Sequence, residues 1–143
     1  MGTSDRGEQG IVLMDGPLNT PRILVGDDES QICRLVRDVL KPAGYVVDVT
    51  QNGSEFLEKY HAGAYSLLIV DTILLHTSGM EVVMKLRDRG DSVPIILMSG
   101  PSREADRVEP FAFTYRVDVL RKPFGVGDLR SAVSRALGLG TLD

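Results

Sequence analysis

The chain has 143 residues, 43% of them hydrophobic and 25% charged, which gives room for one domain with a full core and not for two. Sixteen basic against twenty acidic residues leave a formal charge of -4, so the basic footprint of a nucleic-acid binder is missing. The one cysteine, Cys33, allows neither an internal disulfide nor a multi-thiolate metal site, and no apolar run approaches the about 18 residues of a membrane span, so the cytoplasm is the expected compartment.

Residues 1–20 carry glycines, mixed charges and one brief apolar patch, and are read as a flexible leader, with Met1 or Met14 as the start. The fold itself is expected over 21–138, with 139–143 as a tail. Ile23-Leu24-Val25 then runs into Gly26-Asp27-Asp28, a short apolar strand ending on two acids. Ile32, Leu35, Val36, Val39 and Leu40 recur at helical spacing, which predicts a helix from about Ser30 to Lys41, stopped by Pro42 and Gly44. Valine-rich Tyr45 to Thr50 reads as a second strand, and Gly53 to His61 as a short helix with Phe56, Leu57 and Tyr60 on one stripe.

Leu67-Leu68-Ile69-Val70 is an apolar run closing on Asp71. A run this short, bounded by turn residues, suits a strand covered on both faces, and its acid then sits at the carboxyl end. Gly79 to Arg89 follows as a helix with Met80, Val83 and Met84 inward. Pro94 to Ser99 is a fourth strand, ending on a hydroxyl. Pro101 suits the first position of a fourth helix, which Pro110 is expected to cut short. From Phe111 the residues Phe111, Phe113, Tyr115, Val117 and Val119 alternate with smaller or polar ones, the period of a strand, with burial expected for most of the aromatics. The fifth strand is placed at about Val117 to Arg121, ended by Lys122-Pro123-Phe124. Leu129, Ala132, Val133, Ala136 and Leu137 form the stripe of a last helix.

Five strands alternating with five helices imply an α/β, doubly wound five-stranded parallel sheet with helices on both faces, a three-layer sandwich. Asp27 with Asp28, Asp71, Ser99 and Lys122 then all end strands at one edge, where ligands gather in open α/β sheets. Three carboxylates together repel one another, and hard oxygen ligands of this kind suit Mg²⁺. Lys122 and Ser99 can contact phosphoryl oxygens, and the Asp71 carboxylate can attack phosphorus. Cys33 is read as a packing residue, and His61 and His76 as surface or loop histidines.

These motifs, in this order and spacing, resemble the receiver domain of two-component response regulators over about residues 22 to 138. The resemblance implies the flavodoxin-like strand order 2-1-3-4-5, Asp71 as phosphoacceptor, Ser99 as switch hydroxyl and Lys122 as the pocket cation. It also implies Mg²⁺ held by Asp28, Asp71 and the backbone carbonyl of Ile73, with Asp27 acting through water, and a cis bond at Lys122-Pro123. The implied partners are a histidine kinase or histidine phosphotransfer protein as donor, and a downstream protein on the face formed by the fourth helix, fifth strand and fifth helix. Neither direct nucleic-acid contact nor membrane contact is expected.

The function expected is a stand-alone phosphoacceptor that is not an enzyme. The alternative is a pseudo-receiver that binds partners without phosphorylation, and a phosphatase-like hydrolase is a third reading, weakened by Ile73 where a second acid would stand. Leu75 replaces the family's usual proline, which predicts a less rigid loop. Val119 replaces its switching aromatic, with Tyr115 or Phe113 as possible substitutes. By the resemblance, Ile73 and Pro101 occupy the positions from which side chains can orient a hydrolytic water, and since neither offers a polar side chain, slow loss of phosphate is implied.

Overall fold

The computed structural model describes residues 20–101 and 105–139, so the expected leader and most of the expected tail lie outside the described residues. Its strands are β1 (Arg22–Gly26), β2 (Val46–Thr50), β3 (Leu67–Asp71), β4 (Ile95–Ser99) and β5 (Asp118–Arg121). Its helices are α1 (Ser30–Leu40), α2 (Gly53–Lys59), α3 (Gly79–Asp88), α4 (Ala105–Tyr115) and α5 (Val126–Ala136). All strand pairs are parallel and the sheet order is β2-β1-β3-β4-β5. The expected flavodoxin-like, doubly wound three-layer fold is therefore the observed one.

Two apolar layers flank the sheet. One packs Leu24, Leu68, Val70 and Leu97 under Phe56 of α2, Val82, Val83 and Leu86 of α3, and Val108 and Ala112 of α4. The other packs Ile23, Val25, Ile69 and Met98 under Val36, Val39 and Leu40 of α1 and Leu129, Ala132 and Val133 of α5. Every residue of β3 and of β4 is buried, as continuous apolar runs require when helices cover both faces. Cys33 is among the buried packing residues of α1, and burial pushes its thiol up to about 11. Leu35, expected on the inner stripe, is partly turned to solvent, and Val82 rather than Met80 or Met84 joins Val83 in the core.

The local signals that start the helices are made as bonds. Asn52 caps α2 by accepting from the Ser54 and Glu55 amides, and Ser78 with Glu81 forms a capping box at α3. Gly79 is required by space: a methyl there would lie 2.0 Å from the carbonyl oxygen of Asp71. The first turn of α3 is thereby pressed against the end of β3.

The segment from Pro101 to Val119 departs from the sequence reading. Pro101 lies ahead of the described part of α4, and the helix runs through Pro110 to Tyr115. Phe111, Phe113 and Tyr115 are helical, not extended. The governing pattern is Val108, Phe111, Ala112 and Tyr115, spaced three and four apart, which forms the inner stripe of a helix. That burial outweighs the hydrogen bond that Pro110 cannot donate. Phe113 falls on the opposite side and is 88% exposed, against the expectation of burial. Arg116, at φ 57°, ends the helix in the left-handed region, and the Val117 amide donates to Ala112 O across the turn.

The end of α4 is held from outside. The Arg87 guanidinium of α3 donates to the carbonyls of Tyr115, Arg116, Asp91 and Val93. Its fork thus joins the C-terminal turns of α3 and α4 to the entry of β4, supplying donors to carbonyls that a helix end leaves unpaired.

Candidate functional site

The carboxyl ends of β1, β3 and β4 and the loop after β5 converge because parallel strands all point their ends to one edge. Asp27 follows β1 and is fully buried, and Asp71 ends β3 with only 4% exposure. Lys122 reaches between them: its Nζ donates to Asp27 at 2.7 Å and also to Asp71. The Lys122-Pro123 bond that precedes α5 is cis, as the motif implied.

A fourth charge joins, which the sequence reading missed. Glu29 accepts from Lys122 Nζ at 3.0 Å, and the carboxylate oxygens of Asp27, Glu29 and Asp71 lie within 4.8 Å of one another. Glu29 is the N-cap residue of α1, yet its side chain makes no cap bond and turns to Lys122 instead. The signal was present as a third consecutive acid after Asp27-Asp28. Asp28 itself lies outside that gathered trio, at the lining of an open cavity of about 370 Å³ that also takes in Glu29, Asp71, Ile73, Gly100, Pro101 and Lys122.

Other members are set by short-range bonds. Asp71 Oδ1 accepts from the Ile73 amide at 3.0 Å and from the Thr72 hydroxyl at 3.2 Å, which fixes the carboxylate against its own loop. Asp27 Oδ1 accepts from the Glu29 amide at 2.9 Å. Ser99 is buried at the end of β4, and its hydroxyl faces the Gly100 carbonyl at 3.5 Å rather than Asp71. Val119 is half-buried against the α3–α4 layer, while its two suggested substitutes, Phe113 and Tyr115, stand on α4, the Tyr115 ring tilted against that of Phe111 with centroids 4.6 Å apart. Neither aromatic occupies the β5 position.

The charge balance shows what the site could hold. Burial, and then the neighbouring Asp71, push Asp27 up to about 7 despite its bond to Lys122. Burial alone would lower the Lys122 pKa, but its bonds to Asp27, Asp71 and Glu29 outweigh that and raise it, so the ammonium stays charged. Three carboxylates share one ammonium, with each pair of acids repelling by on the order of 3 kcal/mol at an effective dielectric near 20. An additional small hard cation fits this all-oxygen donor set, which is the chemistry of Mg²⁺ rather than of a thiolate or imidazole metal. Among the described residues no helix is long and apolar enough to cross a membrane.

The likenesses of the chain to known proteins agree with this geometry. The family model of the response regulator receiver domain matches residues 23–134. The transcriptional regulatory protein ResD of Bacillus subtilis is 36% identical over 106 residues, covering 74% of this chain and 43% of ResD. The regulatory protein VanRB of Enterococcus faecalis is 32% identical over 116 residues, covering 81% of this chain and 52% of VanRB. The chain thus spans about half the length of the curated relatives it matches. Among solved structures, a receiver domain protein from Clostridium thermocellum superposes with a TM-score of 0.76 at 24% identity, covering 83% of this chain and 95% of the other. The chemotaxis response regulator CheY4 of Vibrio cholerae gives 0.73 at 24% identity, covering 83% of this chain and all of CheY4. On the family match and the fold together, the chain belongs to the response regulator receiver domain family.

Proposed function

We propose that this receiver accepts a phosphoryl group on Asp71 from the phosphohistidine of a histidine kinase or histidine phosphotransfer protein, in a Mg²⁺-dependent reaction. The observation that carries the proposal is Lys122 lying between Asp27 and Asp71 at the cavity, a cation positioned where phosphoryl oxygens arrive. In the transfer, an Asp71 carboxylate oxygen forms the new bond to phosphorus as the donor's N–P bond breaks, and the electron pair of that bond returns to the donor imidazole. Lys122 then exchanges a carboxylate partner for a phosphoryl oxygen. The hydroxyl of Ser99, on β4 at the same edge, is the second group able to meet that oxygen once it turns from Gly100.

Asp28, Asp71 and the Ile73 carbonyl, with Asp27 behind them, would hold the Mg²⁺, which when bound offsets the acidic charge and that of the incoming phosphate. The output in this proposal is a change in protein contact at the face made by α4, β5 and α5, where exposed Phe113 offers an apolar anchor, and the compartment is the cytoplasm. Both arrangements occur among the likenesses: CheY4 is covered over its whole length and the transcriptional regulators over about half, so stand-alone action remains part of the proposal.

The test is to incubate the protein with a small acyl-phosphate donor and Mg²⁺ and measure intact mass. A phosphoryl adduct is expected on the wild type and not on Asp71→Asn; no adduct with either this donor or a histidine kinase would sink the proposal. Ile73 is exposed beside Asp71 and Pro101 in the cavity lining, and neither side chain can position water. Replacing Ile73 with Asn is expected to shorten the phosphoryl lifetime several-fold, measured as decay of the adduct after donor removal, with unchanged decay as the contrary result.

A further inference from the structure

Three loops meet at the carboxyl edge, and one residue of the middle loop bonds to both of the others. The Gln51 side-chain amide donates to the Asp28 carbonyl at 3.2 Å. The Gln51 carbonyl accepts from the Leu75 amide at 3.3 Å, and the Leu75 carbonyl accepts from the Gly53 amide at 2.9 Å. Asn52 and Leu75 are bridged in the parallel sense, and Ile73 and Ser78 in the antiparallel sense, so the loop after Asp71 is closed on itself and then fastened to the loop before α2. The loop expected to be less rigid for want of a proline is therefore tied by a bond that a proline could not donate. Leu75 stands where proline is usual, and its N–H is what reaches Gln51.

We propose that Gln51 is a positioning residue that fastens the loop carrying Asp28 to the loop carrying Ile73, and so sets the affinity of the site for a divalent cation. The inference rests on the magnesium reading above. It concerns a residue that touches neither the phosphoacceptor nor Lys122. The tie has two links in series, Asp28 to Gln51 by the side chain and Gln51 to Leu75 by the main chain. Breaking the first loosens the Asp28 loop, and breaking the second leaves the Leu75 loop held to the middle loop by the Gly53–Leu75 bond alone.

The test measures Mg²⁺ binding by calorimetry on the unphosphorylated protein, for wild type, Gln51→Met, Leu75→Pro and the double variant. Gln51→Met keeps the side-chain length without a donor, and Leu75→Pro removes the amide proton. Each single change is expected to weaken Mg²⁺ binding about three- to tenfold, as loss of one hydrogen bond would. The double variant is expected to be no weaker than the weaker single, because the links serve one tie. Amide exchange at Gly53, whose N–H bonds to the Leu75 carbonyl, reads the second link without metal and should quicken in Leu75→Pro. Wild-type affinity in both folded variants, whatever their thermal stability, would overturn the proposal, as would losses that multiply in the double. Wild-type protein that binds no Mg²⁺ would overturn the magnesium reading and the cation role of Gln51 together, while faster Gly53 exchange would then show the tie alone.

Discussion

The edge around Asp71 and the α4 segment are built on opposite plans. At the edge, buried charges are held by bonds that cross the whole chain, from Asp27 through Asp71 to Lys122, and the backbone leaves no slack: Gly79 touches the Asp71 carbonyl and the three loops are stitched together. In α4, a proline interrupts the helical bonding, one aromatic stands in solvent, and the end is gripped by a single arginine from the neighbouring helix. A site that positions charge needs the first plan. The second suits the face that the proposal gives to partner contact, whose fewer ties leave it freer to shift when the edge changes.

The largest loss is expected at the arginine. Replacing Arg87 with Met strips four carbonyls of a charged donor and should cost about 3 kcal/mol of stability, measured by urea unfolding. If the grip is as local as described, Mg²⁺ affinity in the folded variant should stay near that of the wild type. Next in size, Gly79→Ala should cost about 2 kcal/mol by overpacking against backbone, and here Mg²⁺ binding should weaken as well, because the strain falls on Asp71. Equal stability with unchanged binding would show more give at the edge than the contacts allow.

The smallest effects sharpen the reading of α4 itself. Phe111→Ala removes the ring packed against Tyr115 and part of the core layer, and should cost about 1–2 kcal/mol. Phe113→Ala should change stability by under about 0.5 kcal/mol, since its ring is already in water. An equal cost for the two would mean that the outer face of α4 is covered in solution.

That pair of phenylalanines also shows where the sequence was legible. Strands β1, β3 and β4 stood out because each is a short apolar run leading into a polar residue, and the parallel order then brought Asp27, Asp71, Ser99 and Lys122 to one edge. Their side chains differ in engagement: Lys122, Asp27 and Asp71 are bonded together, whereas Ser99 faces away. In α4 two periods overlapped. Phe111, Phe113 and Tyr115 match a strand when taken by twos, and only the inclusion of Val108 and Ala112 reveals the helical stripe, while Pro110 argued locally for a stop. Core burial decided in favour of the helix. Glu29 carries no mark in the sequence beyond following an acidic pair, and only the position of Lys122 shows which way it turns. Gln51 acts through a main-chain carbonyl and an exposed amide, for which residue identity gives little signal.

If the edge is one assembled phosphoacceptor unit with Asp71 as its nucleophile, the phosphorylated product can be trapped at that residue. After treatment with a small acyl phosphate and Mg²⁺, borohydride reduction converts an aspartyl phosphate to homoserine, which peptide mass mapping then locates. The prediction is homoserine at position 71, dependent on Mg²⁺ and reduced in Lys122→Ala. Homoserine at another acid, or none at 71 while phosphate is stably attached elsewhere, would contradict it.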